Sequence, residues 1–532
     1  MFWSIVLSVL AGAIALAYCF STCNFDYWKK KNVPFAKPVP LLGNYGNVFL
    51  MKKHFTHAAH DIYKEFPDEP VVGAFMGTVP TLVVKDPEYI KKVTTKDFYY
   101  YNSRGMSDYA DSETFNKNIF SSHGDYWKTV RQNLSPVFST SKMKNMFHLI
   151  ADCSYAFEKM IDEEASATNS VMPAHQLISR FTMACITSAA FGVDSETMGE
   201  EYKTNPFTKA GEMVFNKSIK NSFKAYFKMA WPGIFYFFRQ TSFPAKLMDM
   251  FYDFMTSVFE ARNHKPTSRN DFVDFILGFK EKEFITGETL TSPTSPVEKT
   301  SVEVTDEFLV ANCLIFFLAG FETSATTSSY TLYELAKHPE AQNKLLKEID
   351  DYLERTGNKL HYESIAEMPY LQACVDEALR LYPVLGVSTR EVVEEVTLGS
   401  VRLDRGVQIH IPTYSLQRDP KYFPEPEKYR PERFLGEEKQ KIVPHTYMPF
   451  GDGPRLCIGM RFARMQMTAG LITLFKKYRV ELAPGTPMEP DWDPLTPLLP
   501  SPSKPLDLKF IVREGWENRV FVKPENRASC KA

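Results

Sequence analysis

The residue with the most distinctive chemical surroundings is Cys457, which lies in the run Phe450-Gly-Asp-Gly-Pro-Arg-Leu-Cys-Ile-Gly459. The run contains three glycines, and since glycine has no Cβ, the backbone there can come close to a flat ligand. A helical pattern follows from Met460 to Phe475. Since the positive end of a helix lowers the pKa of a nearby thiol, the sequence predicts a thiolate that is suited to bind iron.

The same ten residues resemble the signature of the cytochrome P-450 family, which has a Phe, spaced glycines, an Arg, a Cys and a closing Gly at this spacing. The resemblance implies that Cys457 is the metal ligand of haem b (iron protoporphyrin IX), with Phe450, Gly451 and Gly459 against the haem. It also implies the P-450 fold, mainly α with small β-sheets, in a single large catalytic domain. For Cys457 considered alone, an inert buried thiol is the alternative.

A second motif is Ala319-Gly-Phe-Glu-Thr323, which lies in an otherwise apolar stretch. Thr305 and the two acids after it supply a cap and a first turn, and the apolar residues that follow predict a buried helix. Thr323 can donate a hydrogen bond to the carbonyl of Ala319, which opens a notch in the helix. The resemblance implies that Thr323 and Glu322 are catalytic in oxygen activation and proton supply. A packing notch with a solvent-facing Glu322 is the alternative.

Trp127 and Arg131 lie four residues apart and share one face of a predicted helix. Arg pairs bidentately with carboxylates through its planar guanidinium group. The resemblance implies that both residues hold a haem propionate, together with Arg455 and Arg390, and Arg104 is a further candidate. The alternative is a Trp packed under an Arg without any ligand.

The pair Glu377 and Arg380 is three residues apart on one helix face, where it could form an exposed ion pair of small value. Farther along the chain comes Pro431-Glu-Arg-Phe434. The resemblance implies a structural triad of Glu377, Arg380 and Arg433, which stabilises the core on the haem side and takes no part in the chemistry.

The composition indicates a folded globular protein. Of its 532 residues, 44% are hydrophobic and 24% are charged. A net charge of -2 and the lack of a basic run with interleaved aromatics argue against a nucleic-acid partner. The eight cysteines show no Cys-x-x-Cys spacing, which is typical of free thiols in a reducing compartment.

The N-terminal segment 1–25 is uncharged, and its apolar part is long enough to span a membrane. Lys29, Lys30 and Lys31 follow, and the positive-inside rule then predicts a cytosolic downstream chain. We therefore expect an anchor at 1–25, a basic and proline-rich linker at 26–44, which is extended, and a catalytic domain at 45–532. A cleaved signal peptide is the alternative for segment 1–25.

Two further segments have local signatures. Thr81 to Val84 is short and β-branched, lies between prolines, and predicts a strand. Lys280 to Glu303 is polar and rich in Ser, Thr, Pro and Glu, and predicts an inserted surface loop.

The chain most resembles insect microsomal P-450 enzymes that metabolise xenobiotics and are related to the vertebrate drug-metabolising group. This implies a monooxygenase that inserts one oxygen atom of dioxygen into small apolar substrates such as xenobiotics, plant toxins, insecticides, or endogenous lipids and hormones. Electrons would come from NADPH-cytochrome P-450 reductase, with cytochrome b5 as a second donor. The location would be the endoplasmic reticulum membrane, with the domain in the cytosol.

Two rival functions stay open. One is a haem-thiolate isomerase or dehydratase, which typically lacks an oxygen-handling alcohol such as Thr323. The other is a non-catalytic protein that binds haem or a hydrophobic molecule and has no use for the pair Glu322 and Thr323.

Two surfaces are also predicted. The aromatic segment from Phe223 to Phe238, with its lysines, is typical of a membrane contact, and internal packing is the alternative. Lys128, Arg461 and Arg464 are candidate reductase contacts around the thiolate, and their alternative role is ordinary solvated or internally paired charge.

Overall fold

The computed structural model describes residues 2–194, 196–267, 269, 271–290, 296–497 and 499–523. It begins with the 21-residue helix α1, Phe2–Thr22, in which Ser21 alone is buried. At 1.5 Å per residue this helix is about 30 Å long, the thickness of a hydrocarbon core. Its length and exposed apolar surface suit a membrane anchor, although a signal sequence near an N-terminus has the same properties.

The rest of the described chain is mainly helical, as predicted. Its α-helices are α2 Tyr27–Lys30, α3 Gly46–Phe49, α4 Phe55–Glu65, α5 Pro87–Lys91, α6 Gly124–Leu134, α7 Thr140–Ala167, α8 Ala174–Ile186, α9 Pro206–Phe215, α10 Ile219–Ala230, α11 Pro232–Phe237, α12 Ala245–Ala261, α13 Phe272–Lys280, α14 Asp306–Lys337, α15 Pro339–Thr356, α16 Ser364–Glu367, α17 Pro369–Leu381, α18 Thr413–Leu416, α19 Gly436–Gln440 and α20 Met460–Phe475.

The strands form small sheets. They are β1 Val71–Met76, β2 Val79–Val84, β3 Val171–Pro173, β4 Phe284–Glu288, β5 Lys299–Glu303, β6 Ser388–Glu391, β7 Val396–Leu398, β8 Val401–Leu403, β9 Gln408–Ile411, β10 Tyr478–Leu482 and β11 Asp507–Val512. The largest sheet has the order β1-β2-β9-β6, and another has the order β10-β11-β3. The strand predicted from Thr81 to Val84 lies in β2, which confirms it.

Helix α14 runs through the core. The Thr305 side chain caps it by accepting a hydrogen bond from the N–H of Phe308, and Asp306 and Glu307 occupy its first turn, as predicted. Negative side chains stabilise this positive end of a helix. Although α14 is apolar and long enough to span a membrane, most of its apolar stretch is buried inside the protein. It is therefore a core helix that positions the motif ending at Thr323.

The segment 26–44 is not an extended spacer throughout. Trp28 is fully buried, and its indole Nε1 donates to the Ala74 carbonyl at 2.8 Å. The N–H of Ala36 donates to the Gly73 carbonyl at 3.1 Å. At Gly73 a Cβ would lie 2.4 Å from the Trp28 ring, so glycine is needed for this close approach. From Trp28 onward this segment packs on β1.

Within the predicted loop 280–303, residues 284–288 and 299–303 form paired strands rather than a plain loop, and residues 291–295 lie outside the described residues. Strands β4 and β5 pair in antiparallel fashion from Phe284↔Glu303 to Glu288↔Lys299. The hairpin docks on α6, where Asn133 Nδ2 donates to the Thr286 carbonyl at 2.8 Å. Regular antiparallel hydrogen bonds stabilise these polar strands. The polar composition of the segment did not predict this pairing.

Candidate active site

One large cavity of about 1670 Å³ brings together most of the residues that the sequence singled out. It exceeds the roughly 300–1,000 Å³ of ordinary ligand pockets. Its lining includes the cysteine loop, the polar motif of α14 and the proposed arginines. The predicted residues at its wall are Trp127, Arg131, Glu322, Thr323, Arg390, Phe450, Gly451, Arg455, Cys457 and Gly459.

Cys457 lies between a short 3₁₀ turn at Gly453–Arg455 and the start of α20. Its N–H donates to the Phe450 carbonyl at 2.9 Å, which closes the loop. The side chain is solvent-accessible and lines the cavity, so the thiol is open to a ligand there. Burial beneath the protein surface raises its pKa, while the N–H of Gly459 and the charge of Arg131 oppose this change. The net direction is opposite to the one predicted, because burial outweighs the helix end.

The glycines of the loop have different roles. Gly451 has a φ of +80° and borders the cavity. A Cβ on Gly459 would meet nothing within 4 Å, so it would point into open space. Gly453, however, has a φ of +65°, and its Cβ would lie 1.9 Å from the Thr94 carbonyl oxygen. Gly453 therefore serves packing inside the protein, and the predicted approach to a flat ligand applies to Gly451 and Gly459.

Four arginines reach the cavity from four separate parts of the chain. Arg131 is on α6, one turn after Trp127, and its Nη2 donates to the Leu456 carbonyl at 2.7 Å. Arg455 lies 4.1 Å from the Trp127 ring centroid, in cation–π contact. Arg390 is on β6, and Arg104 donates to the Arg455 carbonyl at 3.3 Å.

These four guanidinium groups make no ion pair with a carboxylate among the described residues. Burial and the like charges of Arg390 and Arg131 lower the pKa of Arg104 to about 9, and burial lowers that of Arg390 to about 10. Arg455 shifts in the same direction, again through burial first. The buried Nε of Arg390 has no hydrogen-bond partner in the part of the chain that the structure describes. Since buried cations without counter-ions are costly, the cluster is suited to a ligand that carries carboxylates.

On α14, the Thr323 Oγ1 donates to the Ala319 carbonyl at 2.8 Å, the bond predicted from the spacing. Glu322 does not face bulk solvent, since its side chain is only 12% exposed. Its Oε1 lies 2.9 Å from Nε2 of His175, which is on α8. Burial disfavours the charged form of His175, but the Glu322 charge and hydrogen bond outweigh it and raise the pKa of His175.

Sequence reasoning missed His175. It stands 147 residues before Glu322 in the chain, and no local motif surrounds it. It lines both the large cavity and a neighbouring pocket of about 210 Å³. Only the docking of α8 on α14 brings the two side chains together.

Glu377, Arg380 and Arg433 meet at a buried point rather than on an exposed helix face. Arg380 donates to both oxygens of Glu377, each at 2.8 Å. The Nε of Arg433 lies 3.2 Å from Glu377 Oε1, and the N–H of Arg430 donates to the same oxygen at 2.9 Å. None of the triad lines the cavity.

Of the three predicted reductase contacts, two are engaged within the protein. Lys128 donates to the Thr289 carbonyl at 2.8 Å and lies 3.8 Å from Glu288, while Arg464 pairs with Asp376. Arg461 alone of the three is exposed without an ion pair in the described part of the chain.

In the aromatic segment from Phe223 to Phe238, Phe237 is 80% and Phe238 is 63% exposed, but Phe235 is buried. The lysine Lys228 is not at the surface, because it pairs with Glu113 at 2.9 Å where both side chains are largely buried. The segment thus offers an apolar exposed end, and of its two lysines only Lys224 is without an ion pair among the described residues.

One cavity is lined by an accessible thiol, by glycines that leave room for a flat group, and by buried guanidinium groups without an ion pair among the described residues. These features would suit haem, because a thiol can ligate the iron and cationic side chains can pair with the propionates. They define the class of a haem-thiolate protein.

Comparison with known proteins agrees with this class. Residues 33–510 match the family model described as Cytochrome P450. The chain is 34% identical to cytochrome P450 6B2 of Helicoverpa armigera over 90% of this chain and 92% of that protein. It is 35% identical to cytochrome P450 6B1 of Papilio polyxenes, over 90% of this chain and 93% of that protein. With cytochrome P450 6j1 of Blattella germanica the identity is also 35%, with the same coverage of both chains.

The chain therefore belongs to the cytochrome P450 family and is a haem-dependent monooxygenase. Its cofactor is haem, and it requires a redox partner, dioxygen and an organic substrate. Because members of this family are monooxygenases, the alternative of a non-catalytic binding protein is excluded.

Proposed function

We propose that the protein hydroxylates small apolar molecules at the cavity, with Cys457 as the iron ligand and Thr323 and Glu322 as the catalytic alcohol and acid. The observation that carries this proposal is that all three side chains line one cavity. Haem held there would supply the binding and activation of dioxygen, with electron density from the thiolate. A haem-thiolate isomerase or dehydratase typically lacks an oxygen-handling alcohol, so Thr323 at this wall favours the monooxygenase.

The overall reaction consumes a substrate, dioxygen, two electrons and two protons, and yields a hydroxylated product and water. Protons must therefore reach a site whose walls are mainly apolar. Thr323 holds a hydroxyl at the cavity wall through its bond to Ala319, and it can rotate to donate into the cavity. Glu322 is connected through His175 to the neighbouring pocket, which gives it a route for proton exchange.

The arginine cluster has a separate role in this proposal. Arg104, Arg131 and Arg390 retain unused N–H donors at the cavity wall, so we assign them to the haem carboxylates. Arg455 donates instead to the carbonyls of Asn102, Ile119 and Ser122. It thus orders the loop beside the site and adds positive charge near the propionates.

We further propose that segment 1–25 anchors the protein in the endoplasmic reticulum membrane, with the domain from residue 45 onward in the cytosol. The exposed apolar helix α1 and the lysines that follow it support this orientation. The exposed Phe237 and Phe238 are a second lipid contact. NADPH-cytochrome P-450 reductase is the proposed electron donor, cytochrome b5 is a second one, and Arg461 is a docking contact.

The test of the proposed chemistry is the coupling ratio. In the full-length enzyme reconstituted with NADPH and the reductase, Thr323→Ala should keep haem but form several-fold less product per NADPH and release more hydrogen peroxide, because a donor at the cavity wall is lost. Thr331→Ala is the matched control. Its Oγ1 donates to the Thr327 carbonyl at 2.9 Å on the same helix, and it does not line the cavity. Normal coupling in Thr323→Ala would refute the catalytic role of this alcohol.

A further inference from the structure

A row of lysines faces the cavity from α10 and the residues just before it. Lys220, Lys224 and Lys228 are spaced by four residues, which places them on one face of α10, and Lys217 lies just before this helix. All four line the large cavity. The row therefore concentrates positive charge on one side of a cavity whose other walls are mainly apolar.

The two outer lysines have partners within the protein. Lys217 lies 3.1 Å from Asp493 Oδ2 and donates to the Pro502 carbonyl at 2.9 Å. Lys228 pairs with Glu113, which also accepts hydrogen bonds from Tyr236 at 2.8 Å and from Ser242. Their charges are neutralised by the fold itself.

The two middle lysines, Lys220 and Lys224, make no ion pair or hydrogen bond within the described residues. Lys220 is exposed, and Lys224 is half-buried. Burial lowers the pKa of Lys224, and the like charges of Lys220 and Lys228 lower it further, while Glu113 opposes the change. A partly buried ammonium with cationic neighbours gains stability when an anion pairs with it.

The carboxylates at the cavity wall do not supply that anion. Glu322 bonds to His175, Glu391 accepts from Ser103, and Asp108 pairs with Arg405. The remaining one, Glu212, forms no ion pair with either lysine. The ammonium groups of Lys220 and Lys224 are therefore available to an anion that enters the cavity.

The rest of the cavity wall indicates what else that molecule contains. Aromatic side chains, among them Phe115, Phe215, Phe321 and Phe450, line it. We propose that the enzyme takes amphipathic carboxylates, whose apolar chain lies among these rings and whose carboxylate binds Lys220 and Lys224. This inference rests on the proposed monooxygenase function and names its substrate class.

The experiment compares dodecanoate with 1-dodecanol, which share a chain and differ in charge. Their dissociation constants are measured from the spectral shift of the haem-loaded, full-length protein in phosphatidylcholine vesicles. In the double variant K220Q/K224Q, dodecanoate should bind about tenfold more weakly, since a charge-assisted hydrogen bond is lost. Dodecanol should bind as it does to the wild type. The variant K220R/K224R should retain dodecanoate binding, as should K282Q, a control at an exposed lysine outside the cavity.

Unchanged dodecanoate binding in K220Q/K224Q would overturn the inference, and equal weakening of both ligands would show a packing role instead. Lipid headgroups are the other source of anions. If the double variant sediments less with phosphatidylserine vesicles and keeps its dodecanoate affinity, the lysines bind headgroups and the inference is also overturned. The proposed function is tested separately by the coupling ratio of Thr323→Ala, whose outcome does not depend on the lysines.

Discussion

Replacement of Glu377 by Gln tests whether the buried triad stabilises the fold. Glu377 is fully buried and accepts four hydrogen bonds, two from Arg380, one from Arg433 and one from the N–H of Arg430. Glutamine keeps the size of the side chain but leaves two buried guanidinium groups without a counter-charge, and breaking such a pair costs about 3–5 kcal/mol.

The lower end of this range applies here, because Arg380 also donates to the carbonyls of Gln417, Pro426 and Lys428. We therefore expect a loss of about 3 kcal/mol, which is roughly a hundredfold change in the ratio of folded to unfolded protein.

The assay is urea unfolding of the haem-loaded protein, followed by haem absorption and by tryptophan fluorescence. Glu363→Gln is the control, since its ion pair with Lys144 is exposed and should change the free energy of unfolding by about 0.5 kcal/mol or less. Folded Glu377→Gln enzyme should keep the wild-type coupling ratio. Equal unfolding midpoints for the two variants would refute a structural role of the triad.

Two other substitutions test the arginine cluster and the pair of Glu322 and His175. Arg390→Met removes a buried cation that has no ion pair with any described residue, so the haem-free protein should become more stable while haem transfer to excess apomyoglobin becomes about tenfold faster. Equal transfer rates would contradict its assignment to the haem carboxylates. The pKa of His175 is raised by Glu322, so their pairing stabilises the fold fully below about pH 6.5 and is lost as the pH rises through the raised value. The difference in melting temperature between wild type and His175→Gln should therefore shrink from about pH 6 to about pH 9, and a constant difference would show that the pairing is not the source of stability.

The features that local spacing specifies were predictable. Thr305 caps α14, and Thr323 bonds back to Ala319, because both contacts join residues within one helical turn. The cysteine loop was also predictable, since its glycines and Cys457 are close in sequence. Their assignment to haem, however, came from the resemblance to a family rather than from spacing.

The features that escaped prediction depend on contacts between distant segments. His175 reaches Glu322 only because α8 packs on α14, and Trp28 is buried by β1, which begins more than forty residues later. The raised pKa of Cys457 likewise reflects burial by the whole fold, which no decapeptide specifies. Similarly, Lys128 is engaged by a hairpin whose register was not evident from its polar composition.

The most direct test of the central claim is the carbon monoxide difference spectrum of the reduced protein. The wild type should give the absorption band that is typical of thiolate-ligated haem, and Cys457→Ser should lose it, because an alcohol is a poor anionic ligand at neutral pH. Cys153→Ser, a change at a buried cysteine outside the cavity, should retain the band. Retention of the band in Cys457→Ser would contradict the assignment of this thiolate and of the site built around it.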